Sequence, residues 1–286
     1  MTVTVQRSEP AVQLQVSWLS HQGLVRSHNE DAVLAEYPVF VVADGMGGHD
    51  AGDIASAQVV ELFRSLVGRH QLTAVQVLRV ITSAHHRITQ LASLSARGAG
   101  TTLSGVAVVQ DAGRSSWLFI NIGDSRVYRL YAGQLEQVTV DHSVAQELHE
   151  SGRSASGYRN VITRALGDAV GDVDYWLMPI RNGERLLICS DGLSGELSRD
   201  AMQSQLLYGG PADSTAQALL ELTLQQGARD NVSLIVLDVR AGGQNLPGDT
   251  ETRVGGYELP ALSEQTNDAA MEIDSTQTIE IPGRAR

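Results

Sequence analysis

The chain of 286 residues is 42% hydrophobic and carries a formal charge of −12. That length supports a sizeable core in one large domain or two small ones, and the acidic balance argues against a nucleic-acid partner held through its phosphates. All 21 basic residues are arginine, which excludes lysine-based phosphate clamps and Schiff-base chemistry and leaves the planar guanidinium fork to grip a phosphate.

No apolar run reaches the roughly 18 residues of a membrane-spanning helix, so no membrane insertion is expected. The opening MTVTVQRSEPAVQ lacks a signal-type apolar stretch. Cys189 is the only cysteine. It rules out an intrachain disulfide and a cysteine-based zinc site, and it fits a reducing cytoplasm.

Residues 1 to about 12 read as a loose lead-in, followed by strand-like runs at 13–18, 32–35 and 39–43. The last, Val39-Phe40-Val41-Val42-Ala43, meets a turn signal at Asp44-Gly45, with Gly47-Gly48 beyond it. Two long helices are expected next. In the second, Val77, Leu78, Ile81, Ala84, Ile88 and Leu91 make one apolar face. Further strands are expected at 103–109, 116–122, 126–131, 134–138, 173–178, 185–189 and 232–239, with a hairpin about Ala132-Gly133. Helices at 198–208 and 212–226 have candidate N-caps in Ser198 and in Asp213 or Ser214. Strands in runs and helices in pairs predict an α+β sandwich of antiparallel sheets covered by helix pairs. From residue 241 onward eight acids stand against three arginines without periodicity, which predicts a mostly disordered tail, 241–286, after a domain of 13–240. Within it Thr250, Thr252, Thr276 and Thr278 suit recognition by a kinase or a phosphothreonine reader; the plainer reading is an inert solubilising tail.

Carboxylates gather at the predicted strand ends. Asp44, Asp124 and Asp191 close apolar runs, while Asp31 and Asp230 stand just before others. Aspartate is a common turn residue. Five acids brought together by neighbouring strands, however, would repel unless a cation sat among them. Oxygen donors without cysteine suit Mg²⁺ or Mn²⁺, and a pair of such ions about 4 Å apart suits displacement at phosphorus. Arg26, five residues before Asp31, can hold a phosphate bidentately; as an isolated residue it would read as a plain surface arginine.

RSHNED, VVADGMGGH, GTTLSG, NIGDSRVY, DHSVAQEL, ITRALGD, CSDGLS and ARDNVS follow one another in an order that resembles the metal-dependent protein phosphatases, the type 2C serine/threonine family, in its bacterial branch. The resemblance covers about residues 13–239. It implies an α-β-β-α sandwich of two antiparallel sheets flanked by helix pairs, with a two-metal cleft at one end. It also implies that water activated by Mn²⁺ or Mg²⁺ attacks phosphoserine or phosphothreonine directly, with no phosphoenzyme. Carried over by position, Arg26 binds the substrate phosphate and Asp44 bridges the metals. The Gly45 carbonyl, Asp191 and Asp230 complete that centre, Glu30 and Asp31 hold waters around it, and Asp124 serves a weaker third ion. Residues 143–170 match the flap beside the cleft. Phosphorylated proteins, a Ser/Thr protein kinase among them, are the implied partners in signal transduction.

Two departures stand out. Met46 occupies the place of a histidine that in some members protonates the leaving group, and His49 reads as a loop residue rather than its substitute, which leaves a metal-bound water as the default acid. Gly195, followed by Glu196, stands where some members have a further aspartate, which predicts a weaker third-metal site. Cys189 reads as a buried core thiol and not a nucleophile. The rival readings are a non-catalytic pseudophosphatase or scaffold, and a regulator of sigma-factor antagonists. Retention of Asp44, Asp191 and Asp230 argues against the first; the second is expected to carry a sensor domain before residue 13.

Overall fold

A computed structural model describes residues 2–3, 12–47, 51–95, 98–111, 113–154, 158, 161–168, 172–244 and 254–255. In chain order the elements are β1 (Thr2–Val3), β2 (Gln13–His21), β3 (Asp31–Glu36), β4 (Val39–Gly47), α1 (Ala51–Arg64), α2 (Ala74–Leu94), β5 (Ala99–Thr101), β6 (Leu103–Asp111), β7 (Arg114–Ile122), β8 (Arg126–Tyr131), β9 (Gln134–Gln137), α3 (Val144–Glu150), β10 (Asp174–Pro179), β11 (Arg185–Cys189), α4 (Asp191–Ser194), α5 (Arg199–Tyr208), α6 (Ala212–Gln226), β12 (Val232–Ala241) and β13 (Val254–Gly255).

The strands form two sheets, ordered β1-β2-β12-β11-β8-β9 and β13-β10-β7-β6-β4-β3, with β5 added beside β4. Strand β7 shows why its residues are apolar without a break. Trp117 and Phe119 point into the layer between the sheets, against Ile188, Ile235 and Leu237. The alternate residues Leu118, Ile120 and Ile122 meet Phe63, Val77 and Ile88 of α1 and α2. Both faces of the strand are covered, so both positions of the two-residue period must be apolar. On the other sheet, Leu187, Leu234 and Val236 receive Leu206 of α5 and Leu219 of α6. The α+β, α-β-β-α sandwich expected from the sequence is the fold that forms.

Local signals act as expected at α2, where Thr73 and Gln76 make a reciprocal capping box, and at α5, where Ser198 accepts from the Ala201 amide at 3.2 Å. At α6 the expectation fails: the N-cap is Pro211, not Asp213 or Ser214. Asp213 instead lies in the first turn, where its charge faces the positive end of the helix dipole. The turn expected at Asp44-Gly45 is also absent. Strand β4 runs on through both residues because Gly45, Met46 and Gly47 pair with Thr101, Gly100 and Ala99 of β5. The short elements β5, α3 and α4 carry no periodic signal and were not expected.

After β12 the chain stays attached. The Gln244 amide donates to the Ile180 carbonyl at 2.7 Å, and the Gly243 amide donates to Asn182 Oδ1 at 2.8 Å. Val254 and Gly255 pair with Leu177 and Trp176 at the edge of β10. Thr250, Thr252, Thr276 and Thr278, like His49, lie outside the described residues.

Antiparallel pairing brings the ends of β4, β7 and β11 and the starts of β3 and β12 to one end of the sandwich. Asp31 lies across from Asp44, Leu103 across from Ile122, and Cys189 across from both Arg126 and Leu234.

Candidate active site

That end collects every acid singled out above. Asp31 and Asp44 are direct cross-strand neighbours, a placement in which like charges repel. Asp124 sits in the β7–β8 turn, Asp191 opens α4, and Asp230 lies two residues before β12. Burial, followed by repulsion from Asp191 and Asp230, pushes the Asp31 carboxyl up to about 7 even though Ser233 and Ser190 hydrogen bonds pull it down. Burial, with Asp191 and Asp141, likewise pushes Asp124 up to about 7. Asp44 is held well above the usual carboxylate range by burial and by Asp31, Asp191, Asp124 and Asp230. Asp191 is raised by burial and by Asp230, and Glu30 by burial.

Each of Asp31, Asp124 and Asp191 also buries an Oδ1 without a hydrogen-bond partner. A buried carboxylate oxygen left unpaired is costly, and it points to a missing positive partner. Among the described residues no three His, Cys, Asp or Glu side chains form a finished metal cage. Mg²⁺-like ions need none, since they keep several waters and take only one or two carboxylates each. The donor set therefore fits hard divalent ions.

Gly45 has to be glycine at this joint. A Cβ there would lie 2.1 Å from the Gly52 carbonyl oxygen of α1 and 2.7 Å from that of Glu30. The Glu30 carbonyl also accepts from the Gly45 amide at 3.1 Å and from Ser56 Oγ at 2.6 Å, which locks the β3 entry onto β4 and α1.

Arg26 occupies a place the sequence did not indicate. Its Nη2 donates to Asp230 Oδ2 at 2.6 Å, and that bond raises the guanidinium above its ordinary range. The side chain is half exposed, so it remains at the rim while neutralising one of the crowded acids.

Several supporting residues escaped the sequence reading. Asn231 accepts from the Glu30 amide at 2.9 Å and donates to the Gln22 and His28 carbonyls at 2.8 Å each, fixing the Arg26 loop against Asp230. Ser190 donates to Asp31 Oδ2 at 2.8 Å. Thr102 Oγ1 accepts from the Asp44 amide at 2.9 Å, and Thr101 Oγ1 donates to the Asp44 carbonyl at 3.0 Å. His142 Nδ1 accepts from the Gly123 amide at 3.3 Å, and Nε2 lies 3.0 Å from Asp174. Their one sequence signal is adjacency to the acids or membership of GTTLSG, DHSVAQEL and ARDNVS.

A cleft of about 930 Å³ opens over Asp124, Asp191 and Asp230, with Gln146 and His149 of α3 on one wall and Glu196 and Arg229 on another. Cys189 is buried, and burial pushes its thiol up to about 12.

A sandwich of this topology with an acid-lined cleft at the strand ends defines a class of protein, and comparison places the chain within it. The chain belongs to the protein phosphatase 2C family, whose model matches residues 23–228 and stops just short of Asp230. It is 35% identical over 232 residues to the serine/threonine protein phosphatase PstP of Mycobacterium tuberculosis, a match covering 77% of this chain and 44% of that one. The chain thus spans less than half the length of that relative. It is 30% identical over 245 residues to the serine/threonine phosphatase stp of Listeria monocytogenes, covering 79% and 96% of the two chains. The crystal structure of the PstP catalytic domain in complex with two manganese ions is similar at a TM-score of 0.73 and 31% identity, over 80% of this chain and 99% of that one.

Proposed function

We propose that this chain is a protein serine/threonine phosphatase that hydrolyses phosphoserine and phosphothreonine by direct attack of water. The observation that carries the reading is the set of buried, mutually repelling aspartates gathered at one end of the sandwich, three of them with an unpartnered oxygen. Asp44, Asp191 and Asp230, with the Gly45 carbonyl, would hold two Mn²⁺ or Mg²⁺ ions, Asp124 a weaker third, and Glu30 and Asp31 would order water around them. When bound, such ions supply Lewis-acid charge at phosphorus and lower the pKa of water.

The chain's own residues do the rest. Arg26 engages Asp230 through Nη2 alone, and its remaining donors would take and orient the substrate phosphate. Asp44 is set by Thr101 and Thr102 on its backbone and so is fixed before substrate arrives. The P–O bond to the serine or threonine oxygen breaks as the water oxygen joins phosphorus. Met46 has no proton to give the departing alkoxide, which leaves water as its acid. Cys189 lies too deep, and its thiol is too weakly acidic, to serve as a nucleophile.

The folded unit that does this is residues 13–240 with a few attached residues beyond. Its substrates are phosphorylated proteins, including a Ser/Thr protein kinase, in cytoplasmic signal transduction; no helix among the described residues is long and apolar enough to cross a membrane. The test is Mn²⁺-dependent release of phosphate from a phosphothreonine peptide. Activity that vanishes with EDTA and in Asp44→Ala is expected. Metal-independent turnover, or an Asp44→Ala variant as fast as the parent, would refute the assignment.

A further inference from the structure

Glu196 follows Gly195, and its carboxylate is already engaged. Oε1 accepts from the Arg229 amide at 3.2 Å and from Arg229 Nε at 2.9 Å, and Oε2 accepts from Arg229 Nη2 at 3.0 Å. The Glu196 side chain is only 8% exposed, whereas that of Arg229 is 76% exposed. Both oxygens are thus committed to Arg229.

The partners of this pair belong to the two loops that carry Asp191 and Asp230. Glu196 rides on the same turn as Asp191, since the Gly195 amide donates to the Asp191 carbonyl at 2.6 Å and the Glu196 amide to that of Leu193 at 3.2 Å. Arg229 immediately precedes Asp230, and its backbone amide is one of the three groups held. The same loops touch at a second point: a Cβ on Gly192 would fall 1.9 Å from the Asn231 carbonyl oxygen. Asp230 lies between Arg229 and Asn231, Asp191 immediately precedes Gly192, and the two carboxylates repel each other. Repulsion would splay the loops wherever the fold is not tied.

We propose that Glu196 and Arg229 are positioning residues, an ion-pair clasp that holds the α4 turn to the start of β12 and thereby sets the separation of the Asp191 and Asp230 carboxylates. The proposal rests on the metal-centre reading above. Exposed ion pairs contribute little to stability in general. This one is bidentate and also binds a backbone amide, so its effect is on geometry. Neither residue is among the metal or phosphate ligands proposed above.

The test uses the full chain. Mn²⁺ affinity is measured by calorimetry for Glu196→Ala, Arg229→Ala, the double variant and Arg229→Lys, and Tm is measured in EDTA. Glu36→Ala, which breaks the exposed pair with Arg64 away from the cleft, is the control. Each single variant is expected to bind Mn²⁺ about three- to tenfold more weakly, less than the roughly 10–100-fold lost when a group touching a metal ligand directly is removed. The double variant should be no worse than the singles, as for residues acting as one unit. Arg229→Lys, which loses the fork, should fall between, with Tm in EDTA and the control unchanged. Wild-type Mn²⁺ affinity in both singles, additive losses, or a matching fall of Tm in EDTA would overturn the clasp. A parent chain that binds no Mn²⁺ would overturn the metal-centre reading and the clasp with it, whereas normal binding with unaffected variants would overturn the clasp alone.

Discussion

Arg26 and the buried aspartates share one problem of charge. The Arg26 guanidinium sits on Asp230, so a metal ion at that carboxylate would compete with it. Arg26→Ala is therefore expected to raise KM about tenfold, as for a lost charged hydrogen bond, with kcat changed less because the contact is made in ground and transition states alike. The same variant should bind Mn²⁺ more tightly in calorimetry, since a competitor has gone; weaker binding would place Arg26 among the supports of the metal centre. The raised carboxyls carry a pH consequence. Below about pH 4, the ordinary carboxyl range, folded and unfolded chains are both protonated. From there to about 7 the unfolded chain releases the Asp31 and Asp124 protons while the fold retains them, so metal-free stability falls as pH rises and then levels off. Thermal unfolding in EDTA across that window should show the fall, and Mn²⁺ should flatten it. A metal-free Tm that climbs between pH 4 and 7 would contradict the crowding.

At the scale of elements, the two sheets are tied at the edge of their shared layer by a buried polar group. Glu184, in the β10–β11 turn, accepts from Trp117 Nε1 of β7 and from Arg129 Nε of β8 at 2.7 Å each. Its Oε1 also accepts from the Arg181 amide at 2.8 Å. Glu184 and Arg129 are both almost fully buried. Glu184→Ala removes a carboxylate partner from a buried guanidinium and from an indole, and is expected to destabilise by about 3–5 kcal/mol in urea unfolding. A loss under about 1 kcal/mol would mean that the tie is replaceable by water.

For the molecule as a whole, bonds to the sandwich continue past the change in composition at residue 241, through Gly243 and Gln244. Cutting after Gln244 should leave hydrolysis of a small phosphopeptide unchanged. Cutting after Arg240 removes the bonds of Gly243 and Gln244 to the 180–182 turn and should lower Tm by several degrees, at about 0.5–1.5 kcal/mol per hydrogen bond. Equal Tm for the two truncations would show that this attachment adds nothing.

The amino-acid sequence by itself determined the elements and the chemistry available to them. Unbroken apolar runs such as WLFINI mark strands covered on both faces, the period of Val77 to Leu91 marks a helix with one buried face, and acids at strand ends mark where ionised oxygens can gather. Short elements were not legible, because β5 and α4 hold three and four residues and exist through contacts made elsewhere. Nor was it legible that Asp44-Gly45 continue a strand, that Arg26 bonds a residue 204 positions away, or that Glu196 pairs with Arg229. Each of these depends on which strands lie side by side. Pairing of distant strands is decided by the burial of whole faces at once, and only the closed sandwich fixes which side chains then meet at its end.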